Sequence, residues 1–269
     1  MRKMSKTLAH MNEKENFSMN KDGRLTDIMN ILEKRQSATV EYLSKKIYTS
    51  PSTIRRDLNV LESQGYVRRF HGGVAITNYP TASLPIEYRI QDMAAAKKRI
   101  GHTAARLVEN GDTIFIDSSS TAAAIIPHLE TYHGLKVVTN SMLSLHQLQE
   151  LDVEVYGIGG QLFHTSNAFV GQFALDMLSH FHINKMFFST ASLSQSGTLC
   201  NNTESENHVR LYALNRSEKA YFMVDSSKIG VSSMLHLCHL RDLTGVISDA
   251  ALPEIIPWED NYPAFYPAE

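Results

Sequence analysis

The chain has 269 residues, 43% hydrophobic and 20% charged, a size that suits one large globular domain or two ordinary ones. No apolar run nears the roughly 18 residues of a membrane span, and two distant cysteines, Cys200 and Cys238, without C-x-x-C spacing argue against a disulfide framework or a zinc site. The net charge of −2 divides unevenly: residues 1–78 carry +6 and residues 79–269 carry −8, so the front of the chain suits an anionic partner.

Residues 1–23 are polar, mixed in charge and without the apolar stretch of a secretory signal, so they read as a disordered tail. With reduced thiols, this places the protein in the cytoplasm. From Arg24 the pattern becomes helical, with Leu25, Ile28, Ile31 and Leu32 on one side. Lys34 to Ala38 breaks it. Thr39 can cap a second short helix whose inner face is Val40, Leu43 and Ile47. Ser50 then reads as an N-cap and Pro51 as a first helical residue, where a missing N–H costs nothing. The third helix turns Ile54, Leu58 and Leu61 inward and stops near Gly65.

After Gly65 the period becomes two, and Tyr66 to Thr77 reads as two strands joined at His71-Gly72-Gly73. Three helices and a hairpin over residues 24–78 make a winged helix-turn-helix. Residues 79–86, with two prolines, read as a linker. From there to residue 269 strands alternate with helices: strands at 113–117, 135–139, 153–160, 185–190, 219–224 and 243–248, helices at 94–108, 121–129, from Ser141, and near 204–214. That alternation predicts a mostly parallel sheet covered by helices, so the fold class is α/β overall. The Pro-rich end, from Pro257, reads as an extended surface segment.

Two places carry chemistry. On the third helix, Ser52, Arg56 and Asn59 fall about 160°, 200° and 140° from Ile54 at 100° per residue, opposite the packed face, with Thr53 and Arg55 beside them. Arginine can bridge two acceptors of guanine, and serine or threonine can bond phosphate. Ser50, Arg68, Arg69 and His71 complete the candidate DNA-binding set. One exposed arginine is ordinarily a solvated face; two, early on the third helix and followed by a basic wing, point to DNA.

The second place is Asp117 and Ser118-Ser119-Ser120-Thr121, where a strand runs into a helix and backbone N–H groups with hydroxyls can hold a phosphate. Thr139-Asn140-Ser141 and Gly159-Gly160 lie at two further strand ends, and Lys228 can supply a point charge. Asp117 would repel phosphate, so it reads as a partner for sugar hydroxyls, as a brace for the loop, or equally as a plain N-cap. No Ser-His-Asp order and no metal-ligand spacing is present, so no catalytic residue, metal or cofactor is assigned.

The segment STIRRDLNVLESQGYVRRFHGG closely resembles the N-terminal signature of DeoR-type bacterial transcription regulators. The likeness continues in order through GDTIFIDSSSTAAAI, VVTNS, GIGG, FVG and VDSSKIG, over about residues 24–250. The resemblance implies an operator-binding repressor whose sensor domain is similar in fold to ribose-5-phosphate isomerase and takes a phosphorylated sugar. It also implies roles for Lys97 and Glu206, which match family residues, while Arg210 stands where a lysine is frequent. The chain departs from the family where it has three serines at 118–120 in place of a stretch with glycine, and STASLS at 189–194. The expected partners are double-stranded operator DNA, a phosphorylated sugar or related metabolite, and further copies of the chain as a dimer or tetramer; no membrane is expected. The alternatives are an isomerase-like enzyme with an accessory nucleic-acid head, and a protein–protein adaptor.

Overall fold

The computed structural model describes residues 21–70, 72–76, 84 and 86–269. The chain divides into two compact units, Met1–Tyr79 and Pro80–Glu269.

In the first unit a helix runs over Lys21–Arg35, three residues earlier than the sequence pattern indicates; the rest of the expected tail lies outside the described residues. A left-handed Gln36 (φ 68°) then reverses the chain into β1 (Ser37–Thr39). Periodicity cannot reveal a three-residue strand, and the sequence shows it only as a break. Thr39 caps the helix Val40–Ile47, its Oγ1 accepting from Tyr42 N at 3.0 Å. That helix ends on Tyr48, also left-handed at φ 55°. Ser50 Oγ accepts from Thr53 N at 3.2 Å and starts the third helix, Pro51–Ser63. β2 (Val67–Phe70) and β3 (Gly73–Ile76) follow, and β1 pairs antiparallel with β3, so the wing is a three-stranded sheet where two strands were expected. Ile28, Leu32, Val40, Leu43, Ile54, Leu58, Leu61, Val67 and Val74 are all buried in one core. Each such aliphatic side chain contributes about 2 kcal/mol by leaving water.

The second unit begins, among described residues, with buried Leu84 and Ile86. A helix over Ile86–Gln91 starts at the last residue of the expected linker, whose other residues except Leu84 lie outside the described set. The helix Ala94–Ala105 leads to β4 (Thr113–Ile116). The expected helix 121–129 is instead a short helix, Ser120–Ala123, and a 3-10 turn, Ile126–His128. Pro127 has no N–H to continue the ladder. β5 (Lys136–Thr139), the helix Met142–Leu148 and β6 (Glu154–Gly157) follow, then a hairpin of β7 (Gln161–Phe163) and β8 (Ala168–Val170). After the helix Gln172–Leu178 come β9 (Ile183–Phe188), β10 (Ser192–Leu193) and β11 (Thr198–Asn201). The helix Glu204–Leu214 leads to β12 (Ser217–Val224), then β13 (Leu235–His239) and β14 (Gly245–Ser248). The Pro-rich end is not an extended surface segment: it holds a helical turn, Leu252–Ile255, and β15 (Ala264–Pro267), which pairs parallel with β14.

Seven strands form one sheet in the order β15-β14-β12-β9-β4-β5-β6, every neighbouring pair parallel. Both faces are covered, as a parallel sheet requires. Met186 and Phe188 enter the core on one face while Phe187, between them, enters the core on the other. The chain moves outward from β4 to β5 and β6, then crosses back to β9 and proceeds the other way. The order therefore reverses between β4 and β9, and in open α/β sheets ligands bind beyond the strand ends at such a reversal. Among the described residues no helix is long and apolar enough to cross a membrane.

Candidate functional site

The third helix of the first unit shows a divided surface. Ile54, Leu58 and Leu61 are buried, whereas Ser52, Arg55, Arg56 and Asn59 are exposed and Thr53 is half-buried. Arg55 and Arg56 enter no ion pair among the described residues. Ser50 is exposed, with its Oγ 2.8 Å from Ser52 Oγ and 2.9 Å from Thr53 Oγ1, so three hydroxyls cluster at the start of the helix. Asn59 and Arg69 engage each other: Arg69 Nη1 donates to Asn59 Oδ1, and Arg69 N donates to Glu62 Oε1 at 2.9 Å. The wing is thereby tied to the helix. Arg68 is half-buried on β2, and His71 lies outside the described residues. Sequence reasoning passed over Tyr48, 95% exposed in the turn between the second and third helices. Its signal was a large aromatic outside any apolar pattern.

In the second unit, the loops after β4 and β9 meet at the reversal point and enclose a cavity. Ser119 and Ser120 come from the first loop, Ser189, Thr190 and Ala191 from the second, and Lys228 from the turn after β12. Arg89, Lys97, Asn201, Glu206 and Arg210 close it from the helices and β11. The space is narrow, a cavity of about 20 Å³, which is room for about one water molecule. A larger ligand enters only if side chains move.

Both lysines lie folded against the protein. Lys97 Nζ donates to the carbonyls of Arg89 (2.5 Å) and Asp92 (2.6 Å). Lys228 Nζ donates to Thr121 Oγ1 (2.9 Å) and Ser189 Oγ (3.1 Å) and stands 3.4 Å from Asp225 Oδ2. Burial, and then the charge of Lys228, push the Lys97 ammonium down to about 8. Burial disfavours the Asp225 carboxylate, yet Lys228, Ser227 and Lys97 outweigh it and hold its pKa below the ordinary value.

At the other side of the cavity Arg210 Nε donates to Asp117 Oδ2 at 2.7 Å, and its Nη2 stands 3.6 Å from Glu206 Oε1. All three groups are buried. Burial opposes the charge on Glu206, but Arg210 and Arg89 hold its carboxyl below the usual range. Asp117 also accepts from Ser119 N (3.1 Å) and Ser119 Oγ (2.5 Å). It braces the loop, while Ser119 serves as N-cap, accepting from Ala122 N at 3.1 Å.

Of the thirteen positions singled out in the sequence, Lys97, Ser119, Ser120, Glu206 and Lys228 line this cavity. Asp117, Ser118 and Thr121 stand directly behind it: Ser118 Oγ donates to Glu206 Oε1 at 3.4 Å, and Thr121 holds Lys228. The others are placed elsewhere. Thr139 Oγ1 donates to Ile116 O at 2.7 Å, Asn140 Nδ2 to Phe169 O at 2.9 Å, and Ser141 caps its helix through Ser144 N at 3.1 Å. Those side chains fasten the end of β5 to its neighbours. Gly159 and Gly160 do not line the cavity. Gly160 has φ 151°, and a Cβ there would meet Val170 O at 2.7 Å, so the residue serves the hairpin's close approach. Sequence reasoning missed Arg89, Ser189, Thr190 and Asn201, because only the strand order brings them to this spot. Among the described residues no cluster of histidine, cysteine and acidic groups could hold a metal ion.

Comparison with known proteins agrees with both halves. Residues 24–79 match the DeoR-like helix-turn-helix domain, and residues 92–250 match the DeoR C-terminal sensor domain. The chain is 30% identical to the lactose phosphotransferase system repressor of Staphylococcus aureus strain N315, over 86% of this chain and 93% of that protein. It is 32% identical to the HTH-type transcriptional regulator YulB of Bacillus subtilis, over 85% of this chain and 89% of that one. A ribose 5-phosphate isomerase from Methanocaldococcus jannaschii superposes with a TM-score of 0.39 at 14% identity, over 51% of this chain and 55% of that one. A likeness that slight carries nothing about activity.

Proposed function

Since the chain belongs to the DeoR family of transcriptional regulators, we propose that it represses an operon of sugar metabolism and releases DNA when a phosphorylated sugar occupies the second unit. The observation that carries the DNA half is the divided third helix. A packing helix has no use for two arginines and a hydroxyl cluster on its exposed face, early in the helix where major-groove recognition occurs. In this reading Ser50, Ser52, Thr53, Arg55, Arg56, Asn59, Arg68, Arg69 and His71 form the DNA surface. Phosphate and base contacts fall to the arginines and hydroxyls, while Asn59 and Arg69 fix the wing's position. One such head reads few base pairs, so a dimer or tetramer on paired half-sites is expected.

The cavity at the sheet's reversal point supports the sensing half. Lys97 and Lys228 suit a phosphate, and Glu206 suits a sugar hydroxyl. The sugar connection draws on the relatives, one of which is named for the lactose phosphotransferase system. A ligand can release DNA only by preferring one arrangement of the protein over another.

An isomerase-like enzyme ranks behind this. Glu206 is the carboxylate among the cavity-lining residues, and Arg210 and Arg89 keep it ionised and weakly basic. The regulator reading therefore expects binding without turnover, in the cytoplasm where the DNA is. The test is fluorescence anisotropy on DNA from upstream of sugar operons, with and without pentose and hexose phosphates. Specific binding relieved by one of them supports the proposal. Conversion of a sugar phosphate at enzymatic rates, or no preference for any sequence, would overturn it.

A further inference from the structure

We propose that Tyr48, in the turn between the second and third helices, is a further DNA contact of this chain, its hydroxyl donating to a phosphate oxygen of the operator backbone. The proposal rests on the reading of the third helix as the DNA-facing element and adds a residue outside that helix. Tyr48 is the left-handed residue that ends the helix Val40–Ile47, with φ 55° and ψ 43°. Its N–H and that of Thr49 both bond Ser44 O, an arrangement in which glycine ordinarily stands because a side chain crowds the backbone there. The same unit uses glycine for positive φ at Gly65 (76°) and Gly72 (81°). A bulky aromatic in this conformation is a true outlier, and strain of that kind collects where a protein makes contact with a ligand. Gln36, also left-handed, has a local use for its side chain, whose Nε2 donates to Glu33 O at 3.0 Å. Tyr48 has none: among the described residues its ring and hydroxyl meet no partner, and the residue is 95% exposed. Neither the turn nor the core accounts for a tyrosine here.

The surroundings decide what it meets. Residues 42–56 carry four cations, Lys45, Lys46, Arg55 and Arg56, all exposed, and no acid. An anion is therefore the partner that this stretch attracts. Two residues after Tyr48, Ser50 opens the third helix with the hydroxyl cluster of Ser50, Ser52 and Thr53. The N–H groups of that first helical turn also favour negative charge. Ser44 Oγ donates to Thr49 O across the turn, so Tyr48 is presented on a fixed loop. A phenol in such a place can donate one hydrogen bond to a phosphate, which positions the helix without reading sequence. It carries no charge, and that separates it from lysine and arginine in a salt series.

The test uses the full chain in anisotropy titrations across a salt series, on the tightest-binding duplex from upstream of sugar operons and on its scrambled counterpart. Tyr48→Phe keeps the ring and the backbone strain and loses the hydroxyl. It should weaken both duplexes alike by about tenfold with the salt slope unchanged, whereas loss of a phosphate-bonding cation lowers the slope by about one. Tyr48→Gly also relieves the left-handed strain. It should weaken DNA binding at least as much, while the first unit melts at the same temperature or a few degrees higher. Full affinity in both variants, with weaker binding by Arg55→Ala or Arg56→Ala, overturns the proposal and leaves the third helix as the interface. Full affinity in all four variants overturns both. A loss in Tyr48→Gly alone would replace the phosphate bond by a ring contact, and a loss on one duplex alone would make it a sequence contact; either overturns the phosphate assignment. A lowered melting transition in Tyr48→Gly, or a changed mass of the free protein in sedimentation, would return Tyr48 to the fold or to contact between copies and overturns it as well.

Discussion

Arg24 reaches across from the first helix to Asp57 on the third, its Nε 2.8 Å from Oδ2 and its Nη2 3.1 Å from Oδ1. Asp57 is 2% exposed, a carboxylate buried on the flank of a helix whose opposite side holds Arg55 and Arg56. The pair fixes the helix about its own axis, and so sets which residues face outward. Replacing Asp57 by alanine takes from a part-buried guanidinium the carboxylate that both Nε and Nη2 engage. The expected loss is about 2–3 kcal/mol, less than for a fully buried pair because Arg24 keeps some contact with water. It should appear in thermal melting of the full chain as a lowered transition of the first unit, with the second unit's transition unmoved. Coincident lowering of both transitions would contradict an effect confined to the first unit.

The exposed face of that helix makes a separate prediction about salt. Arg55→Ala and Arg56→Ala each remove one cation from the proposed DNA surface without touching the core. A residue that bonds only phosphate weakens all sequences alike and lowers the salt slope by about one. A residue that bridges a base costs about 1–3 kcal/mol and relaxes preference at one position. Anisotropy titrations across a salt series, on operator and scrambled DNA, sort the two arginines into these roles. Identical affinity and slope in both variants would remove the third helix from the interface.

How much of this was legible in the sequence depended on distance along the chain. The first unit's helices and their caps could be read locally, because Thr39 and Ser50 bond N–H groups three residues onward. The strand Ser37–Thr39 could not, since its partner lies 34 to 38 residues away and three residues show no period. The loop after Asp117 announced itself by composition. Yet Thr139-Asn140-Ser141 looked just as suitable, and only the placement of β9 beside β4 shows that the site lies on the other side of β4. The same placement turns Lys228 from a lone basic residue into a member of a cluster with Thr121 and Ser189, 107 and 39 residues away. Asp117 was legible as an acid near the phosphate loop. Its partner Arg210, 93 residues on, decides that it braces the loop.

Lys97 gives the sensor a pH signature. A phosphate monoester gains its second charge near pH 6, so affinity rises as pH climbs through that value. Burial and Lys228 bring the Lys97 ammonium down to about 8, and above that pH the cavity loses a positive charge. Sugar-phosphate affinity should therefore be greatest between about pH 6 and 8 and fall on the alkaline side. Without ligand the sign reverses. An ammonium depressed in the folded state lowers stability while charged, and that penalty is relieved as pH rises from about 8 to the ordinary value of 10.5. Lys97→Gln should abolish the alkaline fall in affinity while lowering affinity at pH 7. An alkaline limb unchanged in that variant would assign the titration to another group.

The packing of the second unit offers a test that touches no charge. Gly101 lies in the helix Ala94–Ala105 where it crosses the backbone after the short helix Ser120–Ala123. A Cβ at Gly101 would stand 2.0 Å from Ala124 O and 2.4 Å from its carbonyl carbon. Both obstacles are main chain, so no side-chain rotation relieves them; the helix or the segment holding Ala124 must shift. In an exposed helix Gly→Ala stabilises by roughly 1 kcal/mol through propensity, but here the clash dominates. Gly101→Ala should destabilise the second unit by about 1–3 kcal/mol. The same helix carries Lys97, and the displaced segment follows the loop of Ser119 and Ser120, so inorganic phosphate binding should weaken in parallel. A variant that melts later than the parent, or binds phosphate as well as the parent does, would show that the helix does not approach this closely.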